Sequence, residues 1–224
     1  MKDLQKLMKN LIYLFACLFF VACQQKQETS NELPETDGNA KTRSVVQGNS
    51  VHSVPSSVAE IKQAYKFTIE QLENKQLDSI LIKYDCDHER TGIITYFSHQ
   101  GKLSMIRHRY NEYDHYSATD EYFVKDDTLF FAYFKSVLWS FESGSAVEGA
   151  TKDNITEKRF YIFNQKPLQC LEKKYTFRSH AADNPAPETI MNKQVPCKTI
   201  EPIIKDFKRL LVFKNNSQHN CLEK

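Results

Sequence analysis

The sequence predicts an α+β domain: a curled antiparallel β-meander of about seven strands with an N-terminal and a C-terminal helix packed on it. Three observations point there. Apolar residues recur at helical spacing near residues 58–72 and again at 200–211. Between those stretches the apolar period switches to two. The strand-like runs are joined by short polar turns, which suit antiparallel neighbours.

Ser57-Val58-Ala59-Glu60 opens the first helix as a capping box, in which the Ser hydroxyl and the Glu carboxylate satisfy reciprocal backbone donors. Val58, Ile61, Tyr65, Thr68 and Leu72 then fall on one face, predicting a helix to about Asn74. Ile80, Ile82, Tyr84 and Cys86 share one parity in a first strand ending near Asp85. Residues 92–98 (GIITYFS) and 103–110 (LSMIRHRY) flank His99-Gln100-Gly101-Lys102, where Gly101 can take a positive φ. Residues 119–125 and 128–135 flank Asp126-Asp127, and residues 155–163 and 168–178 flank Asn164-Gln165-Lys166-Pro167. Residues 129–134 (LFFAYF) are apolar on both parities and predict a central strand covered on both faces. Val137, Trp139 and Phe141 extend that strand past a bend, and residues 142–154 read as a polar loop. Pro185, Pro187 and Pro196 break the next stretch into a connector. Ile200, Ile203, Ile204, Phe207, Leu210 and Leu211 make the stripe of a final helix beginning near Thr199.

The first 22 residues are different in kind. Lys2, Lys6 and Lys9 precede the uncharged run 11–22 (LIYLFACLFFVA), and Cys23 follows directly. A basic start, a short apolar run and a small residue before the cut site make a secretory signal. The run is shorter than the roughly 20 apolar residues a membrane span needs. Val21-Ala22-Cys23 resembles the end of a lipobox, and the chain resembles small lipoproteins of Bacteroidota, whose aromatic hairpin units it shares in "GIITYFSHQGKLSMI", "TDEYFVKDDTLFFAY" and "EKRFYIFNQKPLQCL". The resemblance implies cleavage before Cys23, lipid (palmitate and diacylglyceryl) on its thiol, and a membrane anchor. Gln24, standing where an inner-membrane retention signal would place Asp, implies the outer membrane. It implies no activity. The expected organisation is a signal peptide (1–22), a lipidated cysteine and disordered tether (23–55), and one globular domain (56–224). The tether expectation rests on the Gln-, Thr-, Ser- and Asn-rich composition after Cys23.

Charge narrows the function. Removing residues 1–22 takes three lysines and one aspartate from 30 basic and 28 acidic residues, leaving 27 of each. A neutral mature chain with interspersed charge lacks the electrostatic footprint of a nucleic-acid binder. Four cysteines remain in the domain: Cys86, Cys170, Cys197 and Cys221. An even count in an oxidising compartment predicts two disulfides, with three possible connectivities. Reach favours Cys197–Cys221, since a tail of eight residues can fold back along a helix of about 21 Å. Cys86–Cys170 is the remaining pair.

No hydrolase, zincin, P-loop or dinucleotide motif is present, so neither a cofactor nor a metal is expected. Cys86-Asp87-His88-Glu89 brings a thiol near a histidine, but the parity of Cys86 points it into the core. The densest polar patch is residues 107–116 (RHRYNEYDHY). Tyr110, Tyr113, His115 and Tyr116 can form a stacking surface for a protein or glycan partner in the envelope. His108, Glu112, Asp114 and His115 can instead pair as acid and base in a small hydrolase. The expected function is a non-enzymatic, membrane-anchored binding or structural module, with that hydrolase as the rival.

Overall fold

The computed structural model describes residues 53–215 and 221–222; the signal segment, Cys23 and nearly all of the tether lie outside the described residues. Helix α1 (Val58–Glu73) is followed by β1 (Asp78–Cys86), β2 (Arg90–His99), β3 (Lys102–Glu112), β4 (Tyr116–Lys125), β5 (Thr128–Phe141), β6 (Thr151–Phe163) and β7 (Lys166–Arg178). A 3₁₀ turn (Pro187–Thr189), a short β8 (Lys193–Gln194) and helix α2 (Glu201–Asn215) complete the order. The strands form one antiparallel sheet in sequence order.

The sheet has eight strands, not about seven. β8 lies inside the proline-broken connector and pairs only Gln194 and Lys193 with Leu171 and Glu172. Two residues are too few to show an alternation, which is why the pattern missed it. Two other expectations shift. β5 runs on to Phe141 as one continuous strand, and β6 begins at Thr151, taking in the last four residues of the supposed loop.

The helices cover opposite faces, because successive strand residues point to opposite sides. Ile61 of α1 packs with Phe97, Met105, Phe123, Phe131 and Tyr161. Ile203, Phe207, Leu210 and Phe213 of α2 pack with Ile94, Tyr96, Ile106 and Tyr122. Burying each such side chain contributes about 1.5–3 kcal/mol. β5 sits between β4 and β6 with Phe130, Phe131 and Ala132 all buried, as its two-sided apolar run requires. The capping box forms: the Glu60 amide donates to Ser57 Oγ at 3.2 Å, and the Ser57 amide to Glu60 Oε2 at 3.3 Å. Among the described residues no helix is long and apolar enough to cross a membrane.

Both disulfides form, but the favoured pairing is wrong: the bonds are Cys86–Cys221 and Cys170–Cys197. β8 is the reason for the second. The Val195 amide donates to the Cys170 carbonyl at 3.0 Å, so pairing with β7 carries Cys197 back to Cys170. The segment after α2 reaches the end of β1 instead, where the Arg90 guanidinium lies 3.5 Å from the Leu222 carbonyl. Cys86 is therefore spent in a bond and is no nucleophile.

Candidate functional site

The polar patch of residues 107–116 is divided by the pleat and the β3–β4 turn. His108, Tyr110, Glu112 and Tyr116 face α2, whereas Tyr113, Asp114 and His115 form the turn. The Tyr84 hydroxyl lies 2.7 Å from His108 Nε2, and Tyr110 stacks on the imidazole at 4.5 Å. The Arg90 guanidinium sits 4.6 Å over the Tyr110 ring and 3.2 Å from Glu112 Oε1. Tyr110 also hydrogen-bonds the Asp120 carboxyl, and Asp120 is the cross-strand neighbour of His108. Burial, helped by the Arg90 and Arg209 cations, pushes His108 down to about 3, so its imidazole is neutral and can accept the Tyr84 proton. Burial likewise raises Asp120 to about 7, against the Tyr110 hydrogen bond that lowers it.

His115 is elsewhere, its ring 4.2 Å from Trp139 of β5, and Asp114 is exposed with its carbonyl accepting from the Trp139 indole. The four groups of the acid–base reading thus occupy two environments. Of the four residues expected to bind, Tyr110 and Tyr116 are half-buried together, Tyr113 is 71 % exposed, and His115 belongs to the Trp139 cluster. Among the described residues no group of three or more His, Cys, Asp or Glu is placed to hold a metal.

A second feature lies on the face that carries α1. That helix covers the row Phe97, Met105, Phe123, Phe131, and among the described residues no element covers the Cys86 end of the face. An open cleft of about 1100 Å³ occupies that end. Register brings its floor together. Lys83 pairs with Ile93, Ile93 with Arg109, Arg109 with Thr119, and Thr119 with Lys135, one straight row across β1–β5. The next row is Asp85, Thr91, Asn111, Ser117 and Val137. Lys83, Arg109 and Lys135 form no ion pair among the described residues. The nearest carboxylate in the row, Glu157 opposite Lys135, is held by Arg159 at 3.0 Å, Lys173 at 3.1 Å and Tyr175 at 2.8 Å. Of the residues that line the cleft, sequence reading names Tyr110 as a binding residue, and its ring stacks on His108 on the α2 side; the cations and hydroxyls of the floor it does not name. They are scattered over some fifty positions and meet only through strand register. The alternation of β3, which separates Arg109 from His108 and Tyr110, is the one signal that pointed to it.

No protein-family model matches the chain, and no curated protein or solved structure matches it either.

Proposed function

We propose that the protein is a non-enzymatic binding module of the cell envelope, anchored through lipid on Cys23, that takes its ligand in the cleft on the α1 face. The uncovered cationic row carries this reading. One sheet face is closed by α2 and half of the other by α1; the remaining half presents three cations that have no carboxylate partner among the described residues. Binding rather than catalysis is favoured by the separation of His108 and Glu112 from Asp114 and His115. The anchor is supported by the basic, apolar and cysteine sequence of residues 2–23. A tethered domain that collects a ligand needs no further machinery.

Two measurements test the reading. Palmitate labelling of cells should mark the wild-type chain and not Cys23→Ala; label that survives the substitution refutes the anchor. Detergent-solubilised full-length protein should retain a component of its own envelope that the triple variant Lys83→Glu/Arg109→Glu/Lys135→Glu does not. Equal retention by the two proteins places binding elsewhere.

A further inference from the structure

Resting on that reading, we infer that the cleft recognises a carboxylate-bearing polysaccharide laid across the strands. Lys83, Arg109 and Lys135 stand on alternate strands of one row. With strands about 4.8 Å apart, neighbouring cations are roughly 10 Å from each other and the row is roughly 19 Å long. Ile93 and Thr119 occupy the gaps. A ligand matched to this row is long, and its charge is sparse.

That spacing disfavours nucleic acid. Each strand of a duplex carries a phosphate about every 3.4 Å of helix axis, and nucleic-acid binders gather more cations than three. Asp85 and Asp87 also line the cleft, Asp85 lying 2.8 Å from His88 Nδ1, and would oppose a dense polyanion.

Hydrogen-bonding capacity separates glycan from peptide. The floor is the face of a sheet whose backbone groups are already spent in the ladder, so only side chains are free to recognise a ligand. A peptide lying there would leave its own amides and carbonyls without the strand partner that edge pairing supplies. A polysaccharide has no such backbone. Its hydroxyls both donate and accept, matching Thr91, Asn111 and Ser117 in the row beside the cations.

An aromatic platform lies further along β5. Val137 lines the cleft, and Trp139 and Phe141 follow on the same side of the strand. Their rings meet edge to face at 5.6 Å, His115 leans on the indole, and Phe141 is 65 % exposed. A half-buried indole with the exposed Phe141 ring beside it, next to a hydroxyl-rich cleft, offers an apolar surface to the C–H face of a sugar ring. Carboxylates for the cations, hydroxyls for the middle row and a ring face for Trp139 describe one ligand class.

The test uses full-length protein in detergent with polygalacturonate, alginate and hyaluronate as probes. Methyl-esterified polygalacturonate, dextran, poly-glutamate and a single-stranded oligonucleotide are the comparisons. At least one polyuronate should bind, and esterification of its carboxyls should abolish the binding. Arg109→Gln should weaken it about tenfold or more, the loss of one charge-assisted hydrogen bond. Trp139→Ala should weaken the polyuronate further without changing the melting temperature by more than a few degrees. Failure of all three polyuronates overturns the inference, as does poly-glutamate or oligonucleotide binding of equal strength. If the polyuronates fail while the envelope component is still lost in the charge-reversed cleft, the binding surface stands and the glycan class falls.

Discussion

Gly92 shows how one missing methyl group sets the geometry under α2. It stands between Tyr84 and Tyr110 in a cross-strand row, and a Cβ there would come within 2.5 Å of Tyr84 Cε1, Cζ and the hydroxyl oxygen. The Tyr84 ring lies over the glycine to reach His108. Replacing a strand glycine by alanine ordinarily favours the strand by about 0.5–1 kcal/mol. Here Gly92→Ala must displace the ring and break its hydrogen bond, so we expect a net loss of about 2–3 kcal/mol in urea unfolding. In a Tyr84→Leu background the loss should largely vanish; persistence there would mean that the clash is not with Tyr84. Two titrating groups nearby, the buried His108 and the half-buried Asp120, give a second prediction. Asp120 keeps its proton to about 7 when folded, against 3.8 when exposed, so stability from that proton is lost as pH rises through this window. His108 acts the other way: its folded value of about 3 lies below 6.5, so its contribution is present above 6.5 and lost as pH falls. Between about pH 4 and 6.5 the two slopes oppose each other. Asp120→Asn keeps the acceptor for Tyr110 and removes only one slope. The Arg90, Glu112 and Asp206 charges that act on Asp120 are untouched. Its stability relative to wild type should climb between pH 4 and 7 and level off above, by about 1.4 kcal/mol per pH unit at the steepest. A pH-independent difference would show that Asp120 ionises normally in the folded protein.

At the scale of elements, most of the meander is legible because its turns are local chemistry. Gln100 and Gly101, Asp126 and Asp127, and Asn164 and Gln165 all have positive φ, the two-residue turn whose twist matches the flanking strands. Gly, Asp and Asn tolerate that region; Gln165 at φ 57 does not have their reasons. Gln165→Gly should therefore stabilise the β6–β7 hairpin by about 0.5–1 kcal/mol, read as a rise in melting temperature of a few degrees. No rise would indicate that the Gln165 side chain compensates by contacts of its own. What the pattern failed to show lacks a local cause. The start of β6, Thr151 to Asn154, is polar throughout, yet it is hydrogen-bonded on both sides, to residues 138–141 of β5 and 176–178 of β7. Ladder pairing between two long neighbours overrides propensity there. β8 is likewise a product of β7. The same limit governs the site. The 107–116 run stands out because it is contiguous, but alternation sends the Arg109 side chain to the cleft and the His108 and Tyr110 rings to the α2 side. A row made of one residue from each of five strands has no contiguous signature.

At the scale of the molecule, the two disulfides do unequal work, and the inequality follows from topology. Cys170 and Cys197 are 27 residues apart, and β7–β8 pairing already brings the chain between them back on itself. Cys86 and Cys221 are 135 residues apart and close nearly the whole domain, joining the end of β1 to the tail beyond α2. Chain entropy then assigns about 3.5 kcal/mol to the short loop and about 5 kcal/mol to the long one. The long bond also has a local effect. It holds Leu222, 2 % exposed, in the cluster that α2 forms with Tyr84, Ile94 and Tyr96. Losing it frees the end of α2 to lift from that face, while α1, on the opposite face with its own cluster, keeps its contacts. We therefore expect Cys86→Ser/Cys221→Ser to cost more stability than Cys170→Ser/Cys197→Ser in denaturant unfolding. Amide exchange should speed up in α2 and its β1–β2 neighbours under native conditions, with α1 protected as before. Because opening free energies differ between cooperative units, that contrast separates a local release of α2 from a uniform loss of stability. Equal costs for the two pairs, or exchange rising equally in both helices, would show that the long bond acts only through the unfolded chain and that α2 is held by its apolar stripe alone.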